Sequence, residues 1–324
     1  MENVKAYLYD ASGCDEELSF DEIDTEHLAK NQLLWVNVLE RDEQLLNEVT
    51  SKLQVKNVPC KTVLDDSGRP DVGRFETFFR FCVASIVTEK DVSPKRLMVD
   101  YIVGKNFVVT VHEGEVDHFD EFRKREKGET QFGELDAESF VATLLDLNLV
   151  SYFQAIDELE RRVDETDERI LKKDIETEEF LKDMVGLRRD VAKLRRWLTP
   201  HREVFYALSR ADFQQIAESD SAEQYRTLNQ HFESAVDAVE NSRESVLGVF
   251  ELYATKSAQM TNTFVQRLTF ITVLTGSLAV IAGLLGMNFK ADIFDLEYGF
   301  WGTVIVVAAL AVLFTVLARF KRWI

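Results

Sequence analysis

The sequence predicts an α+β cytoplasmic domain, then a long-helix stalk and two C-terminal transmembrane helices. Three observations lead there. Two uncharged apolar runs, Leu268–Phe289 and Tyr298–Ala318, lie back to back near the C-terminus. The stretch from Ala222 to Phe289 holds no proline and carries a continuous apolar seam. Up to residue 136, strand-like runs alternate with a helical pattern and turn signals.

Residues 1–136 read as a cytoplasmic α/β domain. Candidate strands are Lys5–Tyr9, Leu33–Val38, Phe75–Val87 and Met98–His112, rich in Val, Ile, Phe and Tyr with partial alternation. Asp66-Ser67-Gly68 and Val103-Gly104-Lys105 are turn signals, and Asp42–Leu53 has a helical pattern. A small sheet with helices packed on it follows. Residues 137–221 switch to a helical hairpin region. Ile156, Leu159, Val163, Thr166 and Ile170 follow 3-4-3-4 spacing, and Leu187, Val191, Leu194 and Leu198 follow 4-3-4. These are coiled-coil-like seams, with solvated charges on the other faces. Thr199-Pro200 breaks the second helix.

Residues 222–289 read as one stalk helix that continues into the first span. Apolar or small residues recur at Phe232, Val236, Val239, Val246, Phe250, Tyr253, Ser257, Met260, Phe264 and Leu268. Unbroken, such a helix is on the order of 100 Å long at 1.5 Å per residue. It cannot bury its seam alone, which predicts self-association around an axis.

Each apolar run exceeds the ~18–20 residues that cross a hydrocarbon core. Residues 290–297 join them as a short extracytoplasmic loop, 298–318 form the second span, and 319–324 are a basic cytoplasmic tail. Arg267 precedes the first span and Arg319, Lys321 and Arg322 follow the second, while the loop sets Lys290 against Asp292, Asp295 and Glu297. Positive residues stay inside, so both termini are expected in the cytoplasm. Trp301 and Trp323 sit near opposite ends of the second span, as interfacial anchors do.

Composition narrows the function. There are 57 acids against 38 bases, a formal charge of −19. That excess repels phosphate backbones, so no nucleic-acid partner is expected, and it suits a protein that handles cations. Cys14, Cys60 and Cys82 have no paired spacing, and His27, His112, His118, His201 and His231 are scattered without zinc-type spacing. The acidic start of the chain has no apolar core and is not expected to be a secretory signal. No phosphate-cradling glycine loop, nucleophile elbow or HExxH helix is present, so an enzyme is not expected.

Gly286-Met287-Asn288 closes the first run, ahead of a hairpin and a basic tail. In that position the motif resembles the CorA family of divalent-cation channels and their ZntB-type relatives, in which Gly-x-Asn ends the pore helix. Leu34-Trp35-Val36-Asn37-Val38 resembles an early strand of that family, and Arg69-Pro70-Asp71-Val72 its Arg-Pro-Lys-Val turn. Val103 to His112 resembles its last cytoplasmic strand, and Asn262 followed by Leu268-Thr269 has the spacing of its inner pore entrance. The resemblance implies a funnel-shaped homopentamer in the cell (inner) membrane. Stalk helices and first spans line its pore, and second spans face the lipid bilayer.

It also implies a selectivity filter at Gly286, Met287 and Asn288. Magnesium gives up its water reluctantly, and the Asn288 carboxamides with the Gly286 carbonyls would hydrogen-bond its hydration shell without trapping it. Glycine lets backbone oxygens approach the axis. A helix C-cap at the membrane surface is the other role open to Asn288. Further in, the expected pore lining is Asn262, Val265, Leu268, Thr269, Gly276, Ser277 and Gly283. Val265 and Leu268 are candidates for an apolar constriction that blocks ions by dewetting. Close helix packing is an equal reading for the glycines. Asp292, Asp295 and Glu297 either concentrate cations at the mouth or keep an exposed loop soluble.

The sequence departs from the family in several places. Lys290 follows Gly-Met-Asn-Phe where an acid is common, and Gly299-Phe300-Trp301 is closer to the ZntB branch. Gly276-Ser277 replaces a methionine-proline pair, and the family's regulatory aspartate falls near Thr227, with Glu223 and Glu233 as nearby acids. Transport of hydrated magnesium is therefore expected, with cobalt and nickel as further candidates and no cofactor. Zinc transport on the same scaffold is the alternative, and a non-transporting membrane-anchored scaffold the second.

Overall fold

The computed structural model describes residues 3–10, 16–23, 28, 32–66, 68–87, 93–125, 136–172, 178–217, 221–287 and 298–320. The chain divides into two compact units, Met1–Val249 and Phe250–Ile324.

The N-terminal unit is built on a mixed seven-stranded sheet. Its strands are β1 (Val4–Asp10), β2 (Glu16–Leu18), β3 (Gln32–Val38), β4 (Asp71–Arg74), β5 (Phe79–Val87), β6 (Lys95–Val103) and β7 (Phe107–Val111), in the order β2-β1-β3-β7-β6-β5-β4. Only the central pair β3 and β7 runs parallel. Period-two alternation gives the sheet two buried faces. One carries Val4, Ala6, Leu34, Val36, Val38, Ile102, Val109 and Val111 against Leu46, Val49 and Leu53 of α1 (Glu43–Lys52) and Val63 of α2 (Cys60–Val63). The other presents Tyr7, Tyr9, Trp35 and Tyr101 to Phe119 and Phe122 of α3 (Asp117–Arg125) and Phe140 of α4 (Ala137–Leu171). Trp35 is fully buried, and its Nε1 donates to Thr110 Oγ1 at 3.0 Å.

Several expected boundaries shift. The run Phe75–Val87 is not one strand: Phe75 donates its N–H to Phe78 O at 3.0 Å and the two rings stack, making a turn between β4 and β5. The expected turn at Asp71 is edge strand β4, whose Asp71 accepts from Arg80 Nη1 at 2.7 Å. Met98–His112 is two strands folded at Gly104, where a Cβ would meet the Phe107 ring at 2.2 Å. The short β2 and the charged α3 carry too little apolar periodicity to be seen in sequence.

A buried ionic cluster lies at the β5–β6 end of the α1–α2 face. Asp100 is fully buried, Arg80 Nε donates to its Oδ1 at 3.0 Å and Arg41 Nη1 to its Oδ2 at 2.8 Å. Arg41 Nη2 adds a bond to Met98 O at 2.8 Å. A lone buried carboxylate costs several kcal/mol, roughly, so the two guanidiniums are what make Asp100 tolerable there.

Helices α4, α5 (Glu178–Leu198), α6 (Arg202–Ser209) and α7 (Gln214–Ala217) complete this unit with the first part of α8 (Ala222–Leu285). Ala84 on β5 pairs with Met98 of β6, but on its other side it lies beyond the end of β4 and has no strand partner there. Side chains take that place. Ala84 O accepts from Tyr152 Oη at 3.0 Å and from Asn148 Nδ2 at 3.3 Å, and its N–H donates to His201 Nε2 at 2.7 Å. His201 Nδ1 lies 3.0 Å from Leu198 O, so the ring is neutral with its proton on Nδ1, and burial lowers its pKa to about 4.

The C-terminal unit holds the rest of α8 and α9 (Gly299–Phe320). Among the described residues three helices are, by length and composition, apolar enough to cross a membrane, namely α4, α8 and α9. Burial separates them. In α4 61% of the most apolar window is buried, whereas the windows of α8 and α9 are 0% buried.

Candidate functional site

The stretch expected to line a pore is part of α8, a 64-residue element that stays helical through Leu285. Threonines in a helix of this kind satisfy their hydroxyls locally. Thr269 Oγ1 donates to Val265 O at 2.8 Å, Thr272 Oγ1 to Leu268 O at 2.8 Å and Thr275 Oγ1 to Ile271 O at 2.8 Å. The consequence is chemical. Each hydroxyl spends its only proton on the backbone, so only its lone pairs face outward. Such oxygens accept from the waters of a hydrated cation and offer nothing to an anion.

At about 100° per residue, Asn262, Val265, Thr269, Gly276 and Gly283 fall on one face within roughly 60°. Leu268 and Ser277 do not share it. They stand on the order of 90° to either side, so one axis cannot be faced by both. The sequence spacing alone contained that answer, but apolar and small residues all round the helix hid it. Val265 is 54% exposed, and the Asn262 side chain makes no hydrogen bond to any described residue. No described heavy atom lies within 4 Å of a Cβ built at Gly276 or Gly283. Among the described residues nothing therefore demands glycine at either position.

The helix closes with Gly286 N–H donating to Ala282 O at 3.0 Å and Met287 N–H to Leu284 O at 3.3 Å. A methyl at Gly286 would come within 3.3 Å of Ala282 O, a tight contact without the positive φ that only glycine favours. Met287 is 52% exposed. Asn288, Asp292, Asp295 and Glu297 lie outside the described residues, as do Lys290, Lys321, Arg322, Trp323, Cys14 and His27. Trp301, at the start of α9, is exposed and its ring meets that of Phe300 edge-on.

In the N-terminal unit, Thr227 lines a cavity of about 330 Å³ with Asp146, Glu223 and His231. His231 Nδ1 is 2.8 Å from Asp146 Oδ1, Glu223 pairs with Arg226, and Glu233 is held by Arg202. Asp146 was not visible from sequence because it comes from α4, 85 residues from His231. Among the described residues no three His, Cys, Asp or Glu side chains gather as a metal site.

Residues 30–322 match the family model described as CorA-like Mg2+ transporter protein. The cobalt/magnesium transport protein CorA of Thermotoga maritima is 24% identical over 295 residues, 90% of this chain and 83% of that one. The complete CorA magnesium transporter of Methanocaldococcus jannaschii superposes with a TM-score of 0.77 at 19% identity, covering 98% of each chain. Full-length CmaX superposes at 0.72 and 19% identity, covering 99% of this chain and 98% of that one. These structural likenesses carry the α/β domain, the long helix and the C-terminal apolar helices. By the match over most of its length, the chain belongs to the CorA-like Mg2+ transporter family, whose members are membrane ion transporters and not enzymes.

Proposed function

We propose that this divalent-cation transporter of the CorA family moves hydrated magnesium through a pore lined by one face of α8 in a homopentamer of the cell membrane. One observation carries the reading. Asn262, Thr269, Gly276 and Gly283 share a helical face on which every side-chain oxygen is an acceptor or a carboxamide. Oxygen donors without thiol or imidazole suit a hard cation that keeps its water, and they favour magnesium over zinc. On the same face Val265 supplies the apolar ring that holds the path dry when closed. Leu268, off that face, supports the neighbouring helix instead.

At the outer end, Asn288 carboxamides and Gly286 carbonyls form the filter, with Met287 between them. Asp292, Asp295 and Glu297 raise the cation concentration outside it. The termini are cytoplasmic, and Arg267 and Arg319 mark the inner boundary.

Purified protein in liposomes holding a magnesium-sensitive dye tests this. Wild-type chain conducts magnesium, and Asn288→Ala falls to the level of empty liposomes. Flux of zinc without magnesium overturns the ion, and unchanged flux in Asn288→Ala overturns the filter.

A further inference from the structure

The N-terminal unit contains a second feature that ion conduction does not use. In a chain of net charge −19, two adjoining cavities are lined by cations and by no described carboxylate. The larger, about 910 Å³, is framed by Arg69, Lys95, Arg96, Arg196 and Trp197, with Pro70, Pro94 and Pro200 as apolar walls. The smaller, about 620 Å³, carries Arg188, Arg195 and Arg243 and shares Arg196 and Pro200 with the first. Together they make one groove between the β5–β6 end of the sheet and the C-terminal end of α5.

Simple solvation of a helix end does not account for it. Arg195 and Arg196 suit the last turn of α5, where cations complement the helix dipole. Arg69, Lys95 and Arg96 come instead from the loop before β4 and from the first residues of β6, where no dipole calls for them. Arg195 is engaged by Glu240, which also stands 4.0 Å from Arg243. Arg69, Lys95, Arg96, Arg188 and Arg196 form no ion pair with any described carboxylate. Two of the last-turn α5 carbonyls that would repel an anion are covered, since Thr199 Oγ1 donates to Arg195 O and His201 Nδ1 to Leu198 O.

We infer that this groove binds a nucleoside polyphosphate, its phosphates on Arg96 and Arg196 and its base on the Trp197 indole. Planar guanidiniums bind phosphate oxygens in pairs, which a concave set of arginines permits and a convex acidic helix does not exploit. A half-buried tryptophan that lines the cavity together with three prolines offers the flat apolar face on which a base stacks. A volume of about 910 Å³ accommodates a ligand of this size. Polyphosphates are themselves magnesium ligands, so occupancy of the groove would report the state of the ion's intracellular pool.

Equilibrium dialysis of the full-length protein in detergent, without added divalent metal, tests the assignment with ATP, inorganic tripolyphosphate and adenosine as probes. ATP is expected to bind with a Kd below about 1 mM, weakening at least tenfold in high salt as charge contacts are screened. The double variant Arg96→Ala/Arg196→Ala is expected to lose roughly tenfold or more for both phosphate probes. Trp197→Leu is expected to weaken ATP by roughly tenfold and leave tripolyphosphate unchanged, because base stacking is lost alone. Arg96 and Arg196 are exposed, so the thermal midpoint and magnesium flux of the double variant stay at wild-type values. Absence of ATP binding below about 1 mM, or binding indifferent to the double variant, overturns the site. Equal affinity for tripolyphosphate and ATP with no effect of Trp197→Leu overturns the nucleotide. A change in oligomeric mass of the double variant, without nucleotide binding, overturns it in favour of contact with a second copy.

Discussion

The two parts of α8 differ in what covers their apolar side chains. From Tyr225 to Val249, Tyr225, Leu228, Phe232, Ala235, Val239, Ser242, Val246 and Val249 recur at alternating three- and four-residue steps, and every one is buried. The chain's own helices bury them: the Phe232 ring stacks on Phe205 of α6 at 4.7 Å, Tyr225 Oη bonds Glu138 O at 2.9 Å, and Ser242 Oγ bonds Glu160 Oε1 at 3.1 Å. From Phe264 on, the same kind of residue is open, with Phe264 62% and Leu268 65% exposed. One helix thus serves as core at one end and as a surface awaiting lipid or other copies at the other. Hydropathy alone does not separate the two ends. Cover does.

The largest contrast comes from truncation. Phe232→Ala is expected to destabilise the N-terminal unit by about 3–5 kcal/mol, the usual loss for a buried phenylalanine. Phe264→Ala in the open part should change the same unfolding transition by less than about 0.5 kcal/mol. Denaturant melts followed by near-ultraviolet circular dichroism compare the two directly. A loss above 1 kcal/mol for Phe264→Ala would mean that the open part is covered after all.

Acid sharpens the comparison, because buried histidines belong to the N-terminal unit alone. His201 and His112 are held near pKa 4 and His118 near 3, each chiefly by burial. A lowered folded-state pKa means that the unfolded chain binds the proton first. The stability from neutral His201 is therefore complete above pH 6.5 and lost as the pH falls toward about 4, on the order of 3 kcal/mol. Glu138 runs the other way. Burial raises its pKa to about 7, so its contribution is full below 4.5 and fades as the pH rises through 7. Melting at stepped pH should show the unit weakening below 6.5, and His201→Gln should flatten that slope. An unchanged slope would remove His201 from the account.

A smaller effect is expected from adding volume. Ala235 is fully buried, and Ala235→Leu overpacks it by about 1–3 kcal/mol. Gly276→Leu meets no described atom within 4 Å of the new Cβ and should leave the melt within about 0.5 kcal/mol. In liposomes the order reverses: Gly276→Leu lowers magnesium flux and Ala235→Leu, at a temperature where it stays folded, does not. Full flux through Gly276→Leu would take residue 276 out of the pore.

Elements whose apolar period is strong were readable in advance: the helix after Asp42, the α4 and α5 seams, the break at Thr199-Pro200 and the two apolar runs. The turn inside Phe75–Val87 was not, since Phe75 and Phe78 read as strand residues and form a turn by stacking on each other. The expectation that α8 cannot bury its seam alone fails for its first part, because α4, α5 and α6 close over it, while the later part stays exposed in this chain. Neither the Ala84 cap by Tyr152, Asn148 and His201 nor the arginine groove was legible. Each joins residues that meet only when α4 and α5 fold back on the sheet.

By itself the sequence determined the segregation of charge from apolar runs, the proline-free helix and the closing Gly286-Met287-Asn288. Those are local properties, set by hydropathy and backbone preference along a single stretch. Tertiary structure alone decided that α4 is core although its composition would allow a membrane span. It also gathered Arg69, Arg96 and Arg196 into one concave basic site. The physical reason is common to both. Burial and charge density depend on which distant residues arrive, and no linear pattern encodes that arrival.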